Sequence, residues 1–177
     1  MDSKLSLYGS LAIAEASKYR PKGRRGNLVR PRIELGRNEG NGQSSALLAF
    51  KILIVEDNRS FREALSTSLQ AHFPNLTLMK AARVQEARAK VQLMQPDLIF
   101  VDMRLPDGNG LDFTRSIRAA GNKSVIIILT SHDLSEYREA AFSSGADQFM
   151  VKGSVDINDI FAVVESIVAS RSGKRPS

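Results

Sequence analysis

The feature that most constrains the fold is a regular alternation of two hydrophobic periods after residue 50. Five apolar runs typical of buried strands are separated by segments whose apolar residues recur every three or four positions, the period of an amphipathic helix. The runs begin at Lys51, Leu76, Leu98, Val125 and Gln148, at spacings of 25, 22, 27 and 23 residues. Five strands alternating with five helices predict an α/β fold, a doubly wound parallel sheet covered by helices on both faces.

The predicted helices have buried stripes and recognisable ends. The stripes consist of Phe61, Leu65 and Leu69; Val84, Ala87, Val91 and Met94; and Ile157, Ile160, Phe161, Val164 and Val168. Predicted helix starts are Asn58 or Asp57, Asn109 and Asp133, and predicted ends are Gly121, Gly145 and the QPD sequence at residues 95–97. These positions agree with the strand spacing.

Charge and composition divide the chain near residue 50. Of the formal charge of +6, residues 1–50 contribute +5 and residues 51–177 contribute +1. Residues 19–42 are rich in Arg, Gly, Pro and Asn, a composition typical of disorder, and residues 5–18 could form only a short amphipathic helix. We therefore predict a basic, largely disordered extension over residues 1–49, a folded domain over 50–171 and a short tail over 172–177.

Composition also excludes several classes of site. The chain has no Cys, so disulfides and thiolate metal sites are excluded. No apolar run reaches the roughly 18 residues that a membrane span needs, and no signal peptide is recognisable. We expect a cytoplasmic protein without a membrane anchor.

Polar and charged residues follow the predicted strands at the point where each strand ends. Glu56 and Asp57 follow the first strand, Asp102 follows the third, Thr130 ends the fourth and Lys152 follows the fifth. The carboxyl ends of parallel strands share one edge of the sheet, and with strand order 2-1-3-4-5 the first and third strands are neighbours. Three carboxylates would then share one crevice. Oxygen ligands without His or Cys favour Mg²⁺ over zinc.

Four motifs at these strand ends carry a family resemblance. VEDN, FVDMRLPDGNG, ILTS and MVK, in that order and at these spacings, resemble the receiver domain of bacterial two-component response regulators. The likeness covers residues 51 to about 170 and implies the flavodoxin-like, or CheY-like, form of the predicted sheet.

The resemblance also implies roles for individual residues. Asp102 would be the phosphoacceptor for a sensor histidine kinase or phosphotransfer protein. Glu56, Asp57, Asp102 and the backbone carbonyl of Arg104 would bind Mg²⁺. Lys152 would pair with the phosphoryl group and Thr130 would hydrogen-bond it, with Phe149 as the switching aromatic residue behind Thr130. These are the roles of a signalling domain rather than of an enzyme with a separate substrate.

Each site residue also has a purely structural interpretation. Glu56 or Asp57 could cap the first helix, Thr130 could be an ordinary strand residue, and Phe149 could belong to the core.

The sequence departs from the family pattern in having Gly153 where Pro is common and Phe149 where Tyr is common. Arg104 and His132 flank the expected phosphoryl site, where side chains can screen or orient attacking water.

Few features of the sequence outside the receiver site could pass a signal to a partner. Only RSGKRPS follows the last helix, so we expect a stand-alone receiver that acts on an unidentified downstream protein through its surface. Val163 and Ile167 widen the apolar face of the last helix. These two residues could extend the hydrophobic core or form a homodimer contact. The cations of the basic extension, which are Arg20, Lys22, Arg24, Arg25, Arg30 and Arg32, could bind nucleic acid, although a solvated tail explains them as well.

Two alternative functions compete with a phosphoacceptor switch. One is a haloacid dehalogenase type of enzyme, which would need a second Asp where Arg104 stands. The other is a nucleic-acid-associated regulatory protein that acts through its basic extension and uses the receiver as a scaffold.

Overall fold

The computed structural model describes residues 50–171. The predicted disordered extension over residues 1–49, its short helix over 5–18, its basic cluster and the predicted tail over 172–177 all lie outside the described residues.

Five helices and seven short or medium strands alternate along the described chain. In chain order they are β1 (Lys51–Val55), α1 (Arg59–His72), β2 (Thr77–Ala81), α2 (Val84–Met94), β3 (Leu98–Val101), β4 (Arg104–Leu105), β5 (Gly108–Asn109), α3 (Gly110–Ala119), β6 (Val125–Thr130), α4 (Ser135–Ser143), β7 (Gln148–Val151) and α5 (Ile157–Arg171). All five predicted apolar runs contain a strand. The second strand begins one residue later than its apolar run, at Thr77.

The main sheet has the predicted topology. Its strand order is β2-β1-β3-β6-β7, and all neighbouring pairs are parallel. Counted over the five main strands, this is the order 2-1-3-4-5. A separate antiparallel pairing of the two-residue strands β4 and β5 lies in the loop that follows β3.

The sheet separates two hydrophobic cores. Side chains from α1 and α5 pack on one face, and side chains from α2, α3 and α4 pack on the other. The central strand β3 is fully buried, as expected for a strand covered on both faces. Ile167 belongs to the first core and Val163 packs against it, so the widened apolar face of α5 serves as core.

Most predicted helix ends are confirmed, and one is wrong. Asn58 and Asn109 cap α1 and α3 through their side-chain oxygens, which accept the backbone N–H groups of Phe61 and Leu111. Gly121 and Gly145 follow α3 and α4 with positive φ angles of 79° and 94°.

Asp133 does not cap α4. The capping position is Leu134, which provides no side-chain hydrogen bond, whereas the Asp133 carboxylate lies 3.8 Å from the Arg138 guanidinium. The chain turns into the helix one residue later than the polar residue suggested. No helix within residues 50–171 is long and apolar enough to cross a membrane.

Candidate functional site

The residues that directly follow β1, β3 and β7 are still hydrogen-bonded to the neighbouring strand, and these bonds position the site. The N–H of Glu56 donates to the carbonyl of Ala81 at 2.9 Å, and the N–H of Asp102 donates to the carbonyl of Val55 at 2.9 Å. The N–H of Lys152 donates in the same way to the carbonyl of Thr130, at 2.8 Å. Each functional side chain therefore stands on rigid sheet backbone at one edge.

Lys152 joins the two acids that come from different strands. Its ammonium donates to Asp102 Oδ2 at 2.8 Å and to Glu56 Oε2. The Lys152 and Glu56 side chains are buried, and the side chain of Asp102 is only 13% exposed. Glu56, Asp102 and Lys152 follow β1, β3 and β7, and the structure brings them together at one edge of the sheet, as the sequence analysis predicted.

Glu56 is the buried acid of the group. Burial raises the pKa of its carboxyl to about 7; the Lys152 ammonium opposes this rise and the Asp102 carboxylate adds to it. Its second oxygen, Oε1, accepts the backbone N–H of Asn58 at 3.1 Å. Glu56 therefore changes its charge near neutral pH in the absence of a bound cation.

Three carboxylates converge as the sequence predicted. Oxygens of Glu56, Asp57 and Asp102 all lie within 4.8 Å of one another, and Asp57 is the solvent-exposed member. Oxygen-only donors at this spacing suit a hard divalent cation, and the exposed Asp57 leaves a path from solvent. Arg104, whose backbone carbonyl was predicted as a further ligand, begins β4 two residues after Asp102.

The two predicted switch residues are both buried. Thr130 ends β6, is fully buried, and its hydroxyl oxygen accepts the N–H of His132 at 3.3 Å. Phe149 on β7 is 7% exposed and packs in the core shared with α4, where the Arg138 guanidinium lies 4.8 Å from its ring centre. In this structure Phe149 is therefore a core residue, as its structural interpretation predicted.

Arg104 and His132 link two loops at the site. The Arg104 guanidinium donates to the imidazole of His132, which connects the hairpin after β3 to the loop after β6. The pair follows Asp102 and Thr130 by two residues each, so it lies beside the candidate phosphoryl position.

The loop after Asp102 has two features that were absent from the sequence predictions. A Cβ added at Gly110 would lie 2.1 Å from the carbonyl oxygen of Asp102, so only glycine allows α3 to begin this close to the site. The Asp107 carboxylate accepts the backbone N–H groups of Val84 and Gln85, at 2.7 and 3.0 Å, and so caps α2 from the hairpin. No local pattern pairs these segments, which are 22 and 23 residues apart.

Two residues of α1, Phe61 and Arg62, contact the site, and the sequence analysis did not predict either contact. The Lys152 Nζ lies 4.7 Å from the centre of the Phe61 ring, so Phe61 is both a core residue and an apolar floor for the ammonium. Arg62 donates to the backbone carbonyls of Glu56 and Asp57, at 2.5 and 3.3 Å. The apolar stripe had identified Phe61 as core only, and a half-buried helical Arg such as Arg62 gives no sequence signal.

Known proteins share both the fold and the family signature of this chain. A family model described as "Response regulator receiver domain" matches residues 52–165. A receiver domain described as CheY-like, from Methanospirillum hungatei, superimposes with a TM-score of 0.63 at 22% identity, over 70% of this chain and 97% of that one. At that identity the likeness shows the fold alone.

Curated relatives are longer than the matched region. The KDP operon transcriptional regulatory protein KdpE of Escherichia coli is 33% identical over 57% of this chain and 44% of its own length. The DNA-binding transcriptional activator DevR/DosR of Mycobacterium tuberculosis is 32% identical over 69% of this chain and 56% of its own length. The chain thus spans about half the length of these relatives.

Proposed function

Because this chain belongs to the response regulator receiver domain family of two-component signalling, we propose that it accepts a phosphoryl group on Asp102 from a histidine kinase or phosphotransfer protein. An Asp102 carboxylate oxygen attacks phosphorus, and the bond between phosphorus and the donor imidazole nitrogen breaks. The electron pair of that bond returns to the imidazole. The reaction requires mainly alignment and compensation of negative charge.

The observation that carries the proposal is the pairing of Lys152 with Asp102. The 2.8 Å contact places a buried ammonium beside the nucleophilic carboxylate, where it can move to an oxygen of the incoming phosphoryl group. An ammonium in a water-poor site stabilises that charge more strongly than one in solvent. Glu56 accepts a hydrogen bond from the same ammonium and so keeps it close to Asp102.

The acidic cluster fits a Mg²⁺ ion. Glu56, Asp57 and Asp102 would hold the ion, with the Arg104 carbonyl as a further ligand, and the ion would supply positive charge beside the phosphoryl oxygens. The support is the convergence of three hard oxygen donors within 4.8 Å. Ionisation of Glu56, which burial disfavours, would then be favoured by the bound cation.

Phosphorylation would be read through Thr130 and the loop that follows it. The Thr130 hydroxyl is at present an acceptor for the His132 N–H, and a phosphoryl oxygen would offer it an acceptor in turn. Movement of Thr130 would alter the packing of Phe149 and of α4, which share one core. The outcome would be a changed surface for an unidentified downstream protein in the cytoplasm.

We propose a signalling role rather than hydrolysis of phosphate esters. Arg104 stands where a dehalogenase-type enzyme would need its second Asp, and its side chain is engaged with His132. Turnover of phosphate esters well above the rate of self-dephosphorylation would contradict this proposal.

The direct test is labelling with acetyl phosphate. With Mg²⁺, the intact protein should gain the mass of one phosphoryl group, and Asp102→Asn should abolish the gain. Asp112→Asn, an exposed acid in the first turn of α3, is the matched control and should label normally. Unchanged labelling of Asp102→Asn would overturn the assignment.

A further inference from the structure

We propose that residues 18–32 of this chain dock on an acidic face of its own receiver domain, beside the edge strand β7. The acidic face consists of Asp133, Glu136 and Glu139 from the start of α4 and Asp156 and Asp159 from the start of α5. This interaction is separate from phosphorylation and assigns a partner to the basic extension.

Topology brings the two groups of acids to one side of the molecule. Strand β7 ends the sheet, with α4 packed on one face and α5 on the other. A helix that follows a parallel strand begins near the carboxyl end of that strand, so α4 and α5 both begin at the same edge of the sheet. The acids therefore flank β7 from both sides.

The acidic face has an excess of unpaired negative charge. All five of its acids are exposed, and within residues 50–171 Glu136, Glu139, Asp156 and Asp159 form no ion pair with a Lys or Arg. Residues 131–171 contain seven acidic and three basic residues, whereas residues 50–130 contain eight acidic and eleven basic ones. One of those three cations, Lys152, is buried in the site. The second half of the domain is therefore the negative side.

Apolar side chains on the same helix add anchoring positions. Leu134 and Phe142 are 50% and 49% exposed, and they are two of only three large hydrophobic residues that are exposed within the described chain. Phe142 follows Glu139 by three residues, so the two share one face of α4. A ligand with both cations and apolar residues would match this surface better than a purely basic one.

Residues 18–32 have that composition. They contain seven Lys or Arg residues and no Asp or Glu, and Leu28 and Val29 lie among the cations. This is the strongest concentration of positive charge in the chain. It is complementary to the acidic face in sign and in its mixture of charged and apolar side chains.

Chain length permits the contact within one molecule. Seventeen residues, 33–49, separate Arg32 from Phe50 at the start of the described domain. Such a segment can span up to about 55 Å, and a domain of this size is only about 35 Å across. A tether this short gives a local concentration on the order of millimolar, which favours the same chain over a second copy.

Paramagnetic relaxation in the full-length chain tests the contact. Because the chain has no Cys, Gly26→Cys allows one nitroxide label within the basic segment. At low salt we expect the label to broaden amide signals at the starts of α4 and α5 far more than those of α1 and α2. The selective broadening should be largely lost at about 0.5 M salt, where screening acts over a few ångströms.

Two double variants provide the matched comparison. Glu136→Gln with Glu139→Gln should remove most of the broadening on α4. Glu63→Gln with Asp112→Asn removes the same charge from exposed positions on α1 and α3 and should leave the broadening unchanged. The amide spectra themselves report whether each variant is folded.

Three results would overturn the proposal. Broadening centred on another face, or spread evenly over the domain, would mean that residues 18–32 do not dock here. Broadening that also appears when spin-labelled, unenriched protein is mixed with unlabelled, ¹⁵N-enriched protein would assign the contact to a second copy. Broadening unaffected by the Glu136 and Glu139 substitutions would remove the acidic face from the interaction.

Discussion

The Lys152 ammonium lies 2.8 Å from the Asp102 carboxylate, although 50 residues separate them in the chain. Glu56 accepts from the same ammonium, so one buried cation balances two acids. The balance is incomplete, because the described site contains three carboxylates and one ammonium. This excess negative charge is the basis for cation binding.

Replacing Lys152 with Met should destabilise the cation-free protein and strengthen Mg²⁺ binding. Loss of one partner leaves Glu56 and Asp102 close together without a counter-charge, which costs about 3 kcal/mol for a buried pair. Urea denaturation at pH 8 without and with Mg²⁺ measures both effects. Lys90→Met, which removes a half-buried ammonium of α2 that pairs with Glu86 outside the site, is the control. An equal loss of stability in the two variants would contradict the site-specific explanation.

The raised pKa of Glu56 should make stability depend on pH. Without a cation, the folded state binds a proton at Glu56 up to about pH 7, whereas the unfolded state releases it near 4.5. The contribution is therefore fully present below pH 4.5 and is lost as pH rises to about 7, by about 3 kcal/mol.

Urea denaturation of the wild type and Glu56→Gln across this pH range tests that dependence. The variant cannot titrate, so its stability should lack this fall between pH 4.5 and 7. Saturating Mg²⁺ should reduce the fall in the wild type, because the bound cation favours ionised Glu56. Parallel pH profiles for the two proteins would show that Glu56 does not titrate in this range.

Substitution of Gly110 should disturb the site through the backbone. A Cβ there would lie 2.1 Å from the Asp102 carbonyl oxygen and 2.9 Å from Val101 Cγ1, so Gly110→Ala must displace β3 or α3. We expect a loss of about 2 kcal/mol or more and weaker labelling of Asp102. Gly153→Ala is the control, because its Cβ would have no atom within 4 Å. Comparable losses in both variants would contradict the steric explanation.

Removal of the Asp107 carboxylate should loosen the start of α2. In Asp107→Ala the N–H groups of Val84 and Gln85 lose their acceptor, so thermal unfolding should begin at a lower temperature. Those N–H groups also lower the pKa of Asp107, so the stabilisation is present above pH 3.8 and is lost as pH falls below it. A variant as stable as the wild type at pH 7 would show that the cap is dispensable.

Opening the Arg104–His132 link should shorten the lifetime of the phosphoryl group, if Asp102 is phosphorylated as proposed. The link joins the loops that follow Asp102 and Thr130, and we expect it to limit the access of water to the proposed acyl phosphate. His132→Ala should therefore lose its label faster in a mass-spectrometric time course. His72→Ala, which removes the other histidine between α1 and α5, should decay like the wild type. An unchanged or longer lifetime in His132→Ala would contradict this role.

Much of the fold and site could be predicted from local patterns. The alternation of strand and helix periods identified every strand of the main sheet, because burial on both faces requires continuous apolar runs. Residues that follow parallel strands must share one edge, so Glu56, Asp102 and Lys152 were predicted together without coordinates. Helix capping was less secure, as Asp133 shows, because the turn into α4 depends on the whole loop rather than on one polar side chain.

The sequence by itself determined the periodic elements, their parallel order and the residue types at the shared edge, since these follow from backbone periodicity and burial. Only the tertiary structure decided that Asp107 caps a helix 22 residues away, that Arg104 engages His132, and that Glu56 is buried deeply enough to hold a proton near neutral pH. Such contacts depend on the separation and solvent exposure of side chains from distant segments, and no local sequence pattern specifies those quantities.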